Sequence, residues 1–386
     1  MRLALLCDDS SVAPWIDALE EDPLNEVTDA ALLTPEATQL CRRDSGIRVT
    51  SQWEDLLTKT SLDATIVGGS APQTLDGIKQ LAGAGQTLLF VPSFAQGSTF
   101  IYELSLIRDD NRVPIHPAVW HRCDPVLIQL REWIRQRTLG QVQLLQMHRT
   151  FPAMESSTSQ VAQSAIDAEL LLDFDLLRWL IGDYDQILAL RTGATEAGVL
   201  TQSVKLSGRD LPEATWDGCA GKSRTCRLTV HTEKGPIVLE QGDETREWVL
   251  TEPDGTRHTG NRQSAIREYL RQLQSSEPAP MDWSELVKAF ETVDATHRSV
   301  RRRRVIELHF EPMSERAIFK TQMTAIGCSV LVGTFMLVLA YLAIASTIQL
   351  PTIVLFVLRT LVFLPLGIFL FLQILYPLTR PSDTEP

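Results

Sequence analysis

From Arg2 to Val91 short apolar runs alternate with segments of helical period. Arg2 to Cys7 is one such run, closed by Asp8-Asp9-Ser10-Ser11. Val12 to Leu19 has helical spacing, with Pro14 in the first turn, where a missing N–H is tolerated. Asp29 to Leu33 predicts a second strand, Trp53 to Lys59 a short helix, and Asp63 to Val67 a buried strand closed by Gly68-Gly69. Leu75 to Ala84 predicts a helix that Gly85 stops, and Thr87 to Val91 another strand. Strand and helix in alternation predict a Rossmann-like α/β domain with a parallel, doubly wound sheet. Such sheets bind ligands at the carboxyl ends of their strands, where strand order reverses. The crevice residues here are Cys7, Asp8, Asp9, Ser10, Gly68, Gly69 and Ser70.

From about Gln141 the pattern shifts to strands with longer polar connections: Leu144 to Met147, Gln186 to Arg191, Ser203 to Leu206, Arg227 to His231, Pro236 to Glu240 and Trp248 to Thr251. With a helix over Ala168 to Ile181, this predicts an α+β domain with a mainly antiparallel sheet. Helices over Ser264 to Leu273 and Asp282 to Val300 then close back onto the first domain, followed by a strand over Val305 to Phe310.

Past Lys320 two long apolar stretches appear, Met323 to Ser346 and Leu350 to Tyr376. Each exceeds the roughly 20 residues that a helix needs to cross a bilayer core, so two transmembrane helices are expected. The connector Thr347-Ile348-Gln349 forces a tight hairpin, and Pro351 suits the first turn of the second helix. Basic residues lie on the outer flanks (Arg301 to Arg304, Arg316, Lys320 and Arg380) and none in the connector, which places the body and the tail in the cytoplasm. Arg359 lies inside the second stretch, at a cost of at least ~2.5 kcal/mol in a membrane; it either snorkels or meets a partner within the bilayer. The run Arg301 to Arg304 is either a solvated charge cluster or a contact with anionic headgroups. The expected organisation is a Rossmann-like domain over 1–122, an α+β domain over 123–315, a hairpin over 320–378 and a tail over 379–386.

The chain has 386 residues and a formal net charge of -12. From residue 323 onward only Arg359, Arg380, Asp383 and Glu385 are charged, so all of that charge falls on the part before the hairpin. An acidic body has no basic footprint for phosphates, which argues against nucleic acid as a partner. The start, with one basic residue and a short apolar run before two aspartates, does not read as a signal peptide. The six cysteines form no close Cys-x-x-Cys pair, so neither a zinc site nor a disulfide framework is expected; Cys219 and Cys226 are free thiols or meet across a hairpin.

Several ordered segments resemble one family. Leu62 to Val67, Ile78 to Gly85 and Thr87 to Phe90 resemble the nucleotide-binding domain of the glucose–fructose oxidoreductase / inositol dehydrogenase / MocA (Gfo/Idh/MocA) family. Leu127 to Met147, Asp175 to Asp183 and Asp282 to Leu308 continue the likeness in the family's order, covering most of residues 1–312. The resemblance implies NAD(P) chemistry on a sugar or polyol, and a second-domain sheet whose open face meets partner subunits. It also locates the family's functional positions here, and they are occupied by other residues. The glycine turn that admits the pyrophosphate corresponds to Cys7-Asp8-Asp9-Ser10-Ser11-Val12, which has no glycine and places two carboxylates against the phosphates. The family's catalytic lysine position is Pro92, and its aspartate and histidine positions are Ala168 and Leu172. Transfer of a hydroxyl proton needs a titratable group within hydrogen-bond reach, and none of these three supplies one. No bound cofactor is therefore expected, and the chain reads as a pseudoenzyme serving as a membrane-anchored binding or scaffolding module. An active NAD(P)-dependent oxidoreductase with a rearranged cofactor site, and an assembly subunit whose hairpin carries the function, are the alternatives. A homo-oligomer through the open sheet face and an unidentified protein partner are the interactions to expect.

The remaining polar residues have ordinary readings. Asp167, Glu169, Asp173 and Asp175 read as acids complementing a helix start, with ligand binding as the sharper reading. His148 and Arg149 read as an exposed strand-end pair that could face the cleft. His116, His121, His231, His258, His297 and His309 have no metal-ligand spacing, and Ser156 to Ser159 form a polar loop without a nucleophile elbow.

Overall fold

The computed structural model describes residues 1–310 except 21, 23, 41–45, 60, 153–158, 193–200, 243–246 and 276–278, together with 332–339 and 360. Met1–Phe310 form one compact unit and Glu311–Pro386 a second. The first sheet contains β1 (Arg2–Cys7), β2 (Glu26–Leu32), β3 (Arg48–Thr50), β4 (Ala64–Val67), β5 (Leu88–Phe90) and β6 (Ile115–Pro117). All its neighbours are parallel and the spatial order is β3-β2-β1-β4-β5-β6, so the order reverses between β1 and β4.

Leu3 to Cys7 are all fully buried because successive side chains of β1 enter two different cores. Leu3, Leu5 and Cys7 pack toward α1 (Ala13–Glu20), whereas Ala4 and Leu6 pack on the opposite side. The short helices α2 (Pro35–Thr38) and α3 (Glu54–Leu57) follow β2 and β3. The opposite core then receives Ile78 and Leu81 of α4 (Pro72–Gly83) and Phe100 and Leu104 of α5 (Ser98–Asn111). β3, β6 and α5 were not anticipated from the sequence pattern. After the 3-10 turn Trp120–Cys123 comes α6 (Pro125–Arg135).

The second sheet runs β14-β13-β12-β11-β7-β10-β9-β8-β15. Its strands are β7 (Val142–Pro152), β8 (Gln186–Thr192), β9 (Thr201–Ser207), β10 (Glu213–Gly221), β11 (Thr225–Thr232), β12 (Gly235–Gln241), β13 (Trp248–Thr251), β14 (Arg257–Thr259) and β15 (Ile306–Glu307). Only β7 and β10 pair in parallel, so the sheet is mainly antiparallel, as expected, with one parallel pair at its centre. β7 lies between the two cysteines, which are therefore free thiols and do not meet across a hairpin. Cys219 pairs with Thr150 on one side of β7 and Cys226 with Arg149 on the other; Cys226 is buried and Cys219 exposed.

One face of this sheet is covered by α7 (Ser159–Ile181) and α9 (Trp283–Arg302); α8 (Arg262–Gln274), between them in sequence, returns to the first sheet. There Tyr269 lies edge-on to Trp15 at 5.3 Å and donates to the Pro117 carbonyl at 2.8 Å. Because α7 begins at Ser159, its acids lie within the helix and do not cap it. Asp173 and Asp175 are buried counter-ions: Asp173 receives Arg149 bidentately and the Trp216 indole N–H, and Asp175 receives Arg122 bidentately beside His121. Arg149, expected at an exposed strand end, is 3% exposed and ion-paired to Asp173 and Glu169, whereas His148 beside it is exposed. Buried charges must be paired, and α7 supplies the partners.

No helix among the described residues is long and apolar enough to cross a membrane. The stretches 323–346 and 350–376, Arg359 included, lie outside the described residues except for 332–339, which are helical, and Thr360. Cys41, Cys328 and the loop 156–158 also lie outside them.

Candidate functional site: a crevice filled by two aspartates

The reversal of strand order puts the crevice at the carboxyl ends of β1 and β4. β1 ends in Cys7, and Asp8 follows directly, 8% exposed. Its carboxylate turns across the crevice to the start of α4, where it accepts from the backbone N–H of Ser70 at 3.1 Å and from that of Ala71. Its carbonyl accepts from the Thr34 hydroxyl at 2.7 Å, which ties the loop after β2 to the same point. Asp9 turns the other way and accepts from Ser11 N–H at 2.9 Å, capping the 3-10 turn Ser10–Val12 that leads into α1. A helix N-terminus offers unsatisfied N–H groups that favour an anion. The two helix starts of this crevice each hold a carboxylate of the chain itself.

Gly68 and Gly69 show how closely the two loops approach. A Cβ on Gly69 would lie 1.6 Å from Asp8 Oδ1, and the residue sits at φ +99, which side chains with a Cβ rarely adopt. A Cβ on Gly68 would meet Ser11 Oγ at 2.6 Å and Val12 Cγ1 at 2.9 Å. These glycines follow β4, so they serve contact between the loops and do not form the phosphate turn after β1. A dinucleotide needs bare N–H groups and open space at this point. These residues do not fit one bound in that way.

The other family positions converge nearby. Pro92 follows β5 and precedes the 3-10 turn Phe94–Gln96, against which α7 packs. Ala168 and Leu172 are half-buried, one helical turn apart on α7. None of the three can titrate. The adjacent titratable pair is one the sequence reading did not single out: His297 of α9 lies with Nε2 3.1 Å from Asp167 Oδ1 and its ring stacked on Phe94 at 5.5 Å. Asp167 also accepts from Gln163 at 2.6 Å. Gln96, 4% exposed, was missed as well. Its amide donates to the carbonyls of Gly69 and Val91 at 3.0 and 3.1 Å and accepts from Ser93 N–H at 2.9 Å, tying together the loops after β4 and β5. The capping-box spacing Ser93-x-x-Gln96 was the available signal for it. Among the described residues, no cluster of three or more His, Cys, Asp or Glu is placed to hold a metal.

No protein-family model matches this sequence, and no curated protein matches it. Solved structures do match in fold. The chain is similar to a myo-inositol dehydrogenase from Corynebacterium glutamicum, with a TM-score of 0.65 and 14% identity over 81% of this chain and 99% of that one. It is similar to a myo-inositol 2-dehydrogenase from Lactobacillus plantarum, at 0.65 and 14% over 80% and 99%. It is also similar to a scyllo-inositol dehydrogenase from Lactobacillus casei solved with NAD(H) and scyllo-inositol, at 0.62 and 11% over 80% and 98%. The body therefore has the two-sheet fold seen in inositol dehydrogenases and related oxidoreductases.

Proposed function

We propose that this protein is a membrane-anchored, non-catalytic binding or scaffolding module built on an oxidoreductase fold. The observation that carries this reading is the seating of Asp8 and Asp9 on the helix-start N–H groups of the crevice, with Gly68 and Gly69 packed against them. A pyrophosphate entering there would displace two carboxylates already hydrogen-bonded and would be repelled by them. Pro92, Ala168 and Leu172 support it, because the fold's proton-transfer positions hold no titratable side chain. Proposed with it are the division at about residue 122, a hairpin over 323–346 and 350–376, a cytoplasmic body, and self-association through the open face of the second sheet. In the second unit Val332, Phe335, Met336, Leu337 and Leu339 all present apolar surface, as a lipid-facing helix would.

The test is titration of NADH and NADPH into the full chain in nanodiscs, followed by nicotinamide fluorescence and calorimetry. The expected result is no saturable binding below millimolar cofactor; micromolar binding overturns the reading. The alternative, an active NAD(P)-dependent oxidoreductase of sugar or polyol derivatives, draws on the fold and on Asp167–His297, a carboxylate–histidine pair beside the vacated positions.

A further inference from the structure

A second concave site lies away from the crevice, between α6, the end of α7 and the start of α9. It is a cavity of about 540 Å³, within the range of small-ligand pockets, with Arg122, Arg131, Arg135 and Arg178 among its lining residues against the carboxylates Asp183 and Glu285. In a chain of net charge -12 this is a concentrated basic concavity.

The ion pairs show which of these charges are balanced. Arg122, its side chain 5% exposed, is held by Asp175 through Nε at 3.0 Å and Nη2 at 2.5 Å. Arg178, 1% exposed, and Lys288 share Asp183 and Glu285 at 2.5 to 3.3 Å. That leaves Arg131 and Arg135, which take part in none of the ion pairs formed among the described residues. They sit one helical turn apart on α6, where like charges repel. Arg131 lies over the Trp179 ring at 4.5 Å, which fixes the guanidinium at the cavity wall without neutralising it. Burial and the neighbouring Arg135 and Arg122 push the pKa of Arg131 down, and outweigh the opposing pull of Glu132 and Asp175.

We infer that this cavity binds a phosphate monoester, its dianion held by Arg131 and Arg135 and its organic part directed toward Trp179, Leu180 and Ile181. Two guanidiniums present paired N–H donors that match phosphate oxygens. The Asp175, Asp183 and Glu285 pairs hold that wall in place. A free phosphorylated metabolite and a phospholipid headgroup share this chemistry.

The experiment is calorimetric titration of inorganic phosphate into the full chain in phosphatidylcholine nanodiscs, repeated in nanodiscs containing phosphatidic acid. Saturable binding is expected, weakened about tenfold in the exposed-rim variant Arg135→Gln and about a hundredfold in Arg131→Gln/Arg135→Gln. The distant Arg301→Gln/Arg302→Gln variant is expected to bind as the parent does. Phosphate binding that persists beside phosphatidic acid assigns the site to a soluble ligand; binding present in phosphatidylcholine but abolished beside phosphatidic acid assigns it to a headgroup. Absence of saturable binding in phosphatidylcholine nanodiscs, or equal affinity in the double variant with an unchanged melting temperature, overturns the inference.

Discussion

Gly69→Ala tests whether Asp8 fills the crevice as described. The backbone at φ +99 imposes about 1–2 kcal/mol on any side chain with a Cβ. The new methyl would also lie 1.6 Å from Asp8 Oδ1, so the carboxylate must leave its place. Asp8 then gives up the N–H groups of Ser70 and Ala71. Two such charge-assisted bonds contribute about 3 kcal/mol even when the freed donors find water. Gly69→Ala should therefore cost about 4–5 kcal/mol in the parent, a large part of a typical domain stability of roughly 5–15 kcal/mol. In an Asp8→Ala background the carboxylate clash is gone and the backbone strain, with a 3.1 Å approach to the residue-8 nitrogen, remains, about 1–2 kcal/mol. The coupling energy of the cycle is thus about 3 kcal/mol, whereas independent sites add to within roughly 0.5 kcal/mol. Urea unfolding of the full chain, followed by tryptophan fluorescence, measures all four corners. An additive cycle would refute the placement of Asp8 and remove the principal support for a closed crevice.

Further outcomes follow from the buried polar groups. Asp175→Asn leaves Arg122 buried without its counter-charge and should cost about 3–5 kcal/mol by urea unfolding at pH 7. Burial works against the charge of Asp175, but Arg122 and His121 hold its pKa well below the usual carboxylate value of 3.8. With the folded pKa depressed, the contribution is present above the unfolded value and lost as pH falls through the folded one, so the gap between parent and Asp175→Asn should narrow below about pH 4. Gln96→Leu strands the carbonyls of Gly69 and Val91 and should cost about 2–4 kcal/mol, read as a lowered melting temperature. Among the described cysteines only Cys219 should react quickly with a maleimide in the native state, because Cys123 is buried and burial pushes its thiol up to about 12, and Cys226 is pushed up further. Mild oxidation should form no Cys219–Cys226 disulfide, and a mass shift showing one would contradict their placement on opposite sides of β7.

The strands β1, β4 and β5 were legible in the sequence because both their faces are buried, which leaves an uninterrupted apolar run. β3 and β6 have three residues each, Arg-Val-Thr and Ile-His-Pro, too short to establish a period. β10 was missed because its inward positions are Ala214, Trp216 and Gly218, a weak apolar signal for the strand beside the centre of the sheet. At the site, the composition of Asp8-Asp9 was legible but its contacts were not. The Asp8 carboxylate meets backbone groups 62 and 63 residues away, and backbone N–H groups leave no mark in a sequence. Arg149 was misread for a related reason. Its partners Asp173 and Glu169 are on a helix, and a paired arginine and an exposed one look alike until strand and helix are packed together.

The return of α8 to the first sheet has a consequence for how the polypeptide is made. One side of that sheet, with Leu3, Leu5, Ile66 and Leu89, is completed by Ala265, Ile266 and Tyr269. During synthesis the first strand must therefore wait, with apolar surface uncovered, until a segment more than 250 residues later has left the ribosome. A fragment ending near residue 122 would carry that surface permanently. The region of the first sheet is thus a topological part of the chain rather than a separately folding one, and release of α8 would expose its apolar surface to aggregation and proteolysis.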